Sequence, residues 1–263
     1  MLKHEVRGAG PTVVLLHSGG MSGRQWRRLA ERLATSFRVV VPDFLGSGEN
    51  APWPEETAFD FRLDVAAVVE VIDAAAPGEA VHFVGHSYGG LIAMTIGRER
   101  PERVRSIAVY DPVVFGVLYG ASDSEGLADL ARASENPVFL DEARGGGEEW
   151  LEAFVDYWSG PGAWKALPPP TRASFRKVGR KVYGEVTSLM VDRTPANAYA
   201  ALGGGKALLL TGERSPVSVR RITVLLEEAI AGAVVEVVEG AGHMGPITHA
   251  DAVNAVIERH LRG

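Results

Sequence analysis

A short motif in the first half of the chain, Gly-His-Ser-Tyr-Gly at residues 85–89, has the form Gly-x-Ser-x-Gly. The apolar segment 80–84 precedes it and a segment with helical spacing follows, so the sequence predicts a buried strand, a tight turn and a helix. Such a turn exposes the hydroxyl of Ser87 at the N-terminus of the helix. A side chain at Gly85 or Gly89 would collide with the neighbouring strand or helix. Ser87 is therefore the candidate nucleophile.

A serine hydroxyl is a poor nucleophile at neutral pH and needs a base within hydrogen-bond reach. His243 lies in a glycine-rich loop directly after the last predicted strand, 234–238, from which it can reach the edge of the sheet where Ser87 lies. The other histidines are less well placed, since His86 is on the strand side of the turn and His249 belongs to the start of a helix. His243 is the candidate base.

The base in turn needs a carboxylate that orients it and stabilises the imidazolium. Asp111 directly follows the predicted strand 104–110, which places it at the same edge of the sheet as the nucleophile. A carboxylate is also expected near position 215, but the chain has Ser215 there, and Glu213 lies two residues earlier. We favour Asp111 as the acid and keep Glu213 as the alternative.

Acyl transfer also requires hydrogen-bond donors for the developing oxyanion. The backbone N–H of Tyr88, at the start of the nucleophile helix, is one candidate. The loop 17–20, after the first core strand, supplies the second, for which Gly19 is the first choice and Ser18 the second. No metal or organic cofactor is required. The chain has no cysteine, which excludes disulfides and thiolate metal sites.

Apolar strands alternate with helical segments up to residue 111 and again from residue 206, which is typical of an α/β fold with a mostly parallel sheet flanked by helices. Between these parts we find helical spacing, many aromatic residues and no clear strand. We therefore predict a core formed by 1–111 and 206–263, with 112–205 inserted as a helical cap. The cap residues expected to line an apolar pocket are Phe115, Tyr119, Trp158 and Tyr183.

Together these motifs resemble the α/β-hydrolase superfamily, through the segments 15–20, 42–48, 85–90, 101–104 and 240–243. The resemblance implies that fold with an inserted cap. The chain departs from the family at Ser18, where glycine is usual, and at Ser215, where aspartate is often found. Some members, including haloalkane dehalogenases, place the acid after the preceding core strand, which is the place of Asp111 here. Dehalogenases and epoxide hydrolases use an aspartate nucleophile, so Ser87 argues against both.

The sequence thus predicts a serine hydrolase acting on a small, largely apolar ester, thioester or lactone. The enzymatic alternatives are hydrolysis of a carbon–carbon bond in a ring-cleavage product and cofactor-free perhydrolysis. A ligand-binding receptor on the same fold is a further alternative, which the missing carboxylate near position 215 keeps open.

Composition restricts the partners. The chain has 27 Lys and Arg against 33 Asp and Glu, a net charge of −6 with no basic run, which argues against nucleic acid and anionic membrane surfaces. The start of the sequence has no apolar signal core and no apolar run reaches membrane-spanning length. We expect a cytoplasmic monomer or homodimer whose partner is a small-molecule substrate.

Overall fold

A computed structural model describes residues 1–263 and shows seven strands in one sheet. The strands are β1 (His4–Arg7), β2 (Thr12–Leu16), β3 (Arg38–Pro42), β4 (Val81–His86), β5 (Val104–Tyr110), β6 (Ala207–Gly212) and β7 (Val234–Val238). Across the sheet their order is β1-β3-β2-β4-β5-β6-β7. All neighbours are parallel except β1, which pairs antiparallel with β3. The carboxyl ends of six parallel strands therefore meet at one edge, where ligands bind in such sheets.

Helices cover both faces of the sheet. They are α1 (Arg27–Leu33), α2 (Phe61–Ala75), α3 (Tyr88–Glu99), α4 (Gly116–Ala121), α5 (Ser124–Ser134), α6 (Glu148–Ser159), α7 (Ala163–Ala166), α8 (Pro169–Met190), α9 (Val217–Ala229), α10 (Gly245–Thr248) and α11 (Ala250–Arg262). Helices α2, α3 and α9 share one buried apolar cluster with the sheet, and α1 and α11 share another on the opposite face. None of the helices combines the length and apolarity needed to cross a membrane.

The predicted fold class is confirmed. Strands β2 to β7 agree within two residues with the strands that the sequence predicts, at 11–16, 37–41, 80–84, 104–110, 206–211 and 234–238. Val14 and Leu16 of β2 face one apolar cluster while Val13 and Leu15 face the other. A strand buried on both faces therefore appears in the sequence as a continuous apolar run. The prediction missed β1, because this four-residue edge strand is mostly polar and has no such run.

Five helices, α4 to α8, lie between β5 and β6, in the segment predicted to be a cap. They pack in two ways. Apolar side chains of α4 and α5 belong to the large cluster that includes α9, whereas α6 to α8 have a smaller cluster of their own within residues 138–183. The division of the chain into a core and a cap at residues 112 and 205 stays a prediction.

Two glycines allow the nucleophile turn to form, as the sequence predicts. A Cβ atom at Gly89 would lie 2.3 Å from the carbonyl oxygen of Leu16, and one at Gly85 would lie 2.5 Å from the carbonyl oxygen of Gly89. Both obstacles are backbone atoms, which cannot rotate away. The first turn of α3 therefore lies directly against β2 and β4.

Replacing Gly89 with alanine should lower the free energy of unfolding by about 2 kcal/mol or more, since the added methyl forces backbone apart. Chemical denaturation measures this change. Gly242→Ala is a suitable control, because a Cβ there would lie 3.7 Å from the nearest atom outside its chain neighbours, an ordinary contact. Equal losses in the two variants would contradict the prediction.

Candidate active site

Ser87 stands alone between β4 and α3 in an unusual backbone conformation, with φ +54° and ψ −114°. Its N–H donates to the carbonyl of Tyr110 at 2.9 Å, which ties the turn to the end of β5. The hydroxyl of Ser87 donates to Nε2 of His243 at 3.0 Å. Such a strained corner directs the side chain away from both elements and towards the strand-end edge.

His243 lies in the loop between β7 and α10, and its orientation is determined from three sides. Its Nδ1–H donates to Oδ2 of Asp111 at 3.1 Å. The indole of Trp158, from α6, stacks on the imidazole with ring centroids 4.0 Å apart. The hydroxyl of Tyr110 donates to the neighbouring carbonyl of Gly242 at 2.8 Å. The imidazole can therefore pass a proton from Ser87 while Asp111 keeps it in one tautomer.

Asp111 directly follows β5, is fully buried and has φ +45°. Besides His243, it accepts hydrogen bonds from two hydroxyls, Thr211 on Oδ1 and Ser215 on Oδ2, each at 2.6 Å. The hydroxyl of Ser215 thus donates to the acid, in the loop where a carboxylate was expected. Three donors hold this buried carboxylate in place.

The alternative acid, Glu213, is exposed and accepts a hydrogen bond from the N–H of Gly240 at 2.8 Å. Its carboxylate makes no hydrogen bond with His243. The structure brings Ser87, His243 and Asp111 together and leaves Glu213 outside. The catalytic roles of these residues stay a prediction.

The two favoured oxyanion donors line the same cavity as Ser87. The N–H of Tyr88 is the first of α3, so it has no partner within the helix. Gly19 lies beside it, since a Cβ at Gly19 would be 3.7 Å from the Cβ of Tyr88. The N–H of Ser18, the second choice, instead donates to Oε1 of Gln25 at 3.0 Å and is not free for a substrate.

Sequence reasoning missed Gln25, whose side chain links the oxyanion loop to the loop of the base. Its amide donates to Nδ1 of His86 at 3.0 Å, and Nε2–H of His86 donates to the carbonyl of His243 at 2.8 Å. Burial, followed by the proximity of His243, lowers the pKa of His86 well below its usual value. A neutral imidazole suits this role, because one nitrogen accepts and the other donates.

A cavity of about 340 Å³ opens beside Ser87, and 15 of its 20 lining residues are hydrophobic. Three of the four residues predicted to line a pocket do so: Phe115, Trp158 and Tyr183. Tyr119 does not line this cavity. The guanidinium of Arg193 lies 3.8 Å from the centre of its ring, and Tyr119 packs on the main apolar cluster instead.

The sequence analysis also missed a buried ion pair, one member of which, Glu185, lines this cavity. Lys181 and Glu185 of α8 form an ion pair, and Nζ of Lys181 also donates to Oδ2 of Asp64 at 2.8 Å. The spacing of four residues on one helix is the only signal in the sequence. Since most such pairs are exposed, the signal does not distinguish this one. No cluster of three or more His, Asp or Glu side chains is arranged to hold a metal ion.

Comparison with known proteins places these features in a family. The family model described as "Alpha/beta hydrolase family" matches residues 13–256. A pimeloyl-[acyl-carrier protein] methyl ester esterase from Aeromonas hydrophila is 27% identical, over 97% of this chain and 96% of its own length. The dihydrolipoyllysine-residue acetyltransferase component of the acetoin cleaving system of Cupriavidus necator is 26% identical over 97% of this chain. The chain spans 65% of that relative's length, and matches to two others cover 53% and 38% of theirs.

Among solved structures, the enol-lactonase of Burkholderia xenovorans superposes with a TM-score of 0.76 and 20% identity. The superposition covers 100% of this chain and 96% of the lactonase. At this identity the likeness shows the fold, including the placement of its strands and helices.

Asp111→Asn should lower kcat about 10⁴-fold, because an amide favours the wrong imidazole tautomer and cannot stabilise the imidazolium. Glu213→Gln should leave kcat close to that of the wild type. Steady-state hydrolysis of a p-nitrophenyl ester measures both, with circular dichroism as the check on folding. The reverse result would assign the acid to Glu213.

The free energy of unfolding should decrease as the pH is lowered, and His17 should account for part of this decrease. Burial is the main cause that lowers the pKa of His17 to about 4, and Nε2 of its neutral ring accepts from the N–H of Phe44 at 3.1 Å. Because the folded pKa is below the unfolded value, this stabilisation is present above about pH 6.5 and is lost as the pH falls towards 4.

Between pH 7 and pH 4, the free energy of unfolding of His17→Gln should therefore decrease by about 3 kcal/mol less than that of the wild type. Urea titrations of both proteins at several pH values measure this difference. Parallel stability curves would show that His17 does not titrate as described.

Proposed function

The chain belongs to the alpha/beta hydrolase family, and from that membership we propose that it is a serine hydrolase. It cleaves a small, largely apolar carboxylic ester, thioester or lactone through an acyl-enzyme on Ser87. The observation that carries this proposal is the pair of hydrogen bonds that joins Ser87 to His243 and His243 to Asp111, beside an apolar cavity.

In the acylation step, the hydroxyl oxygen of Ser87 attacks the substrate carbonyl and its proton passes to Nε2 of His243. The carboxylate of Asp111 stabilises the imidazolium through the Nδ1–H bond. The N–H groups of Gly19 and Tyr88 donate to the oxyanion, which forms at the N-terminus of α3 where the helix dipole favours negative charge. The imidazolium then protonates the leaving group and the acyl-enzyme remains.

In the second step, His243 removes a proton from a water molecule that attacks the acyl-enzyme. Collapse of the second tetrahedral intermediate returns the proton to Ser87 and releases the carboxylic acid. His243 thus acts as base and then as acid in each half of the cycle.

The substrate class is supported by the cavity and by the relatives. A volume of about 340 Å³ with mostly hydrophobic walls suits a small apolar acyl or alcohol group. One relative of similar length is named as a methyl ester esterase and one solved structure as an enol-lactonase. Both names describe hydrolysis of an ester bond, which is the bond we assign here.

Pre-steady-state hydrolysis of p-nitrophenyl butyrate tests the proposal. The wild type should release a burst of nitrophenol equal to the concentration of active sites. Ser87→Ala should show no burst and a kcat at least about 10⁴-fold lower, because the covalent route is lost.

Covalent labelling with a fluorophosphonate supplies the control. The wild type should be labelled on Ser87, as should Ser36→Ala, which removes an exposed serine, whereas Ser87→Ala should not react. Labelling without ester turnover would favour the carbon–carbon bond hydrolase or the perhydrolase. A folded wild type that neither reacts nor hydrolyses would favour the receptor.

A further inference from the structure

One oxygen of a buried carboxylate faces the substrate cavity without a protein partner. Oε1 of Glu185 accepts from the ammonium of Lys181, whereas Oε2 makes no hydrogen bond with the protein. The Glu185 side chain is only 3% exposed, and the residue lines the cavity together with Ser87. Oε2 is not fully buried, so a group in the cavity can reach it and donate a hydrogen bond to it.

The neighbouring carboxylate differs, because Asp64 is fully satisfied. It accepts from the N–H of Leu45 at 2.9 Å, from the hydroxyl of Tyr88 at 2.8 Å and from Lys181 at 2.8 Å. Asp64 and Lys181 therefore balance each other in charge and in hydrogen bonds. Glu185 is the additional acid of the cluster, and its free oxygen is the site still able to bind.

This free oxygen lies beside the predicted oxyanion donors. A Cβ atom at Gly19 would be 2.6 Å from Oε2 of Glu185, and the same Cβ would be 3.7 Å from the Cβ of Tyr88. The absence of a side chain at Gly19 thus leaves the space that the carboxyl fills. A substrate carbonyl held by these two N–H groups would place its nearest carbon atoms next to Glu185.

We propose that Glu185 is a specificity-determining residue that binds a hydroxyl group on the second or third carbon of the substrate's acyl chain. The inference rests on the proposed serine hydrolase function and names its substrate class as esters or lactones of hydroxy acids. The rest of the acyl chain is apolar, because the cavity walls around Glu185 are mostly hydrophobic.

A hydroxyl fits this oxygen better than a cation does. The ammonium of Lys181 already occupies the other oxygen of the same carboxyl group, and a second cation would face it. Burial is the main cause that raises the pKa of Glu185 to about 7; the charge of Lys181 opposes the rise and that of Asp64 adds to it. A hydroxyl can donate to the ionised form and accept from the protonated form, so it suits both near neutral pH.

The test compares ethyl hexanoate with its 2-hydroxy and 3-hydroxy derivatives, each enantiomer separately, by kcat/KM. The variants are Glu185→Met, which removes both oxygens, and Glu185→Gln, which keeps the shape and can still contact Lys181. Glu227→Gln, at an exposed position of α9, is the surface control. Because the intrinsic reactivity of each ester is the same for all enzymes, a change in the ratio between esters isolates the contact.

The wild type and the control should prefer at least one hydroxylated ester by about tenfold or more, as expected for a hydrogen bond to a charged group. Glu185→Met should lose that preference while it still hydrolyses ethyl hexanoate, and Glu185→Gln should keep part of it. If Glu185→Met fails to fold, a reduced ratio in Glu185→Gln supports the inference and an unchanged ratio overturns it.

Wild-type hydrolysis of ethyl hexanoate with no preference for any hydroxylated ester would overturn the inference and leave the proposed function intact. An unchanged preference in both folded variants would also overturn it. If the wild type hydrolyses none of the esters and its Ser87 does not react with a fluorophosphonate, the proposed function fails and the inference fails with it.

Discussion

The buried carboxylate of Asp111 connects the ends of three neighbouring strands. The residue follows β5, its two hydroxyl donors come from the end of β6 and the loop beyond it, and His243 comes from the loop after β7. A buried charge must be compensated, so these loops are held where their donors reach the carboxylate. The position of His243 against Ser87, and with it any proton transfer, depends on this arrangement.

Neutral histidines organise the opposite side of the site. His86 connects the side chain of Gln25 to the backbone carbonyl of His243. His17 accepts a hydrogen bond from the N–H of Phe44, and its own N–H donates to the carbonyl of Ser18. Each ring has one donor and one acceptor in use, which only the uncharged form provides. Burial lowers the pKa of both histidines and so maintains that form.

The helices between β5 and β6 supply most of the residues that line the cavity beside Ser87. Trp158 stacks on the catalytic candidate His243, and α8 brings Lys181 and Glu185 into the interior. Burying such ions is unfavourable unless they are paired and hydrogen-bonded, and an apolar contact would serve stability as well. A buried charged group with one oxygen facing the cavity fits the proposed role of Glu185 in binding.

The sequence by itself determined the α/β class, six of the seven strands and the candidates Ser87, His243 and Asp111, because strand burial, the glycine-flanked turn and the position of a residue after a strand are local patterns. It did not identify β1, a short polar edge strand. Only the tertiary structure showed that Asp111, and not Glu213, contacts His243, and that Tyr119 lies outside the cavity. It also revealed the hydrogen bond between Ser18 and Gln25 and the position of Glu185. These contacts join side chains from loops and helices that are far apart in the sequence, so the local spacing of residues cannot predict them.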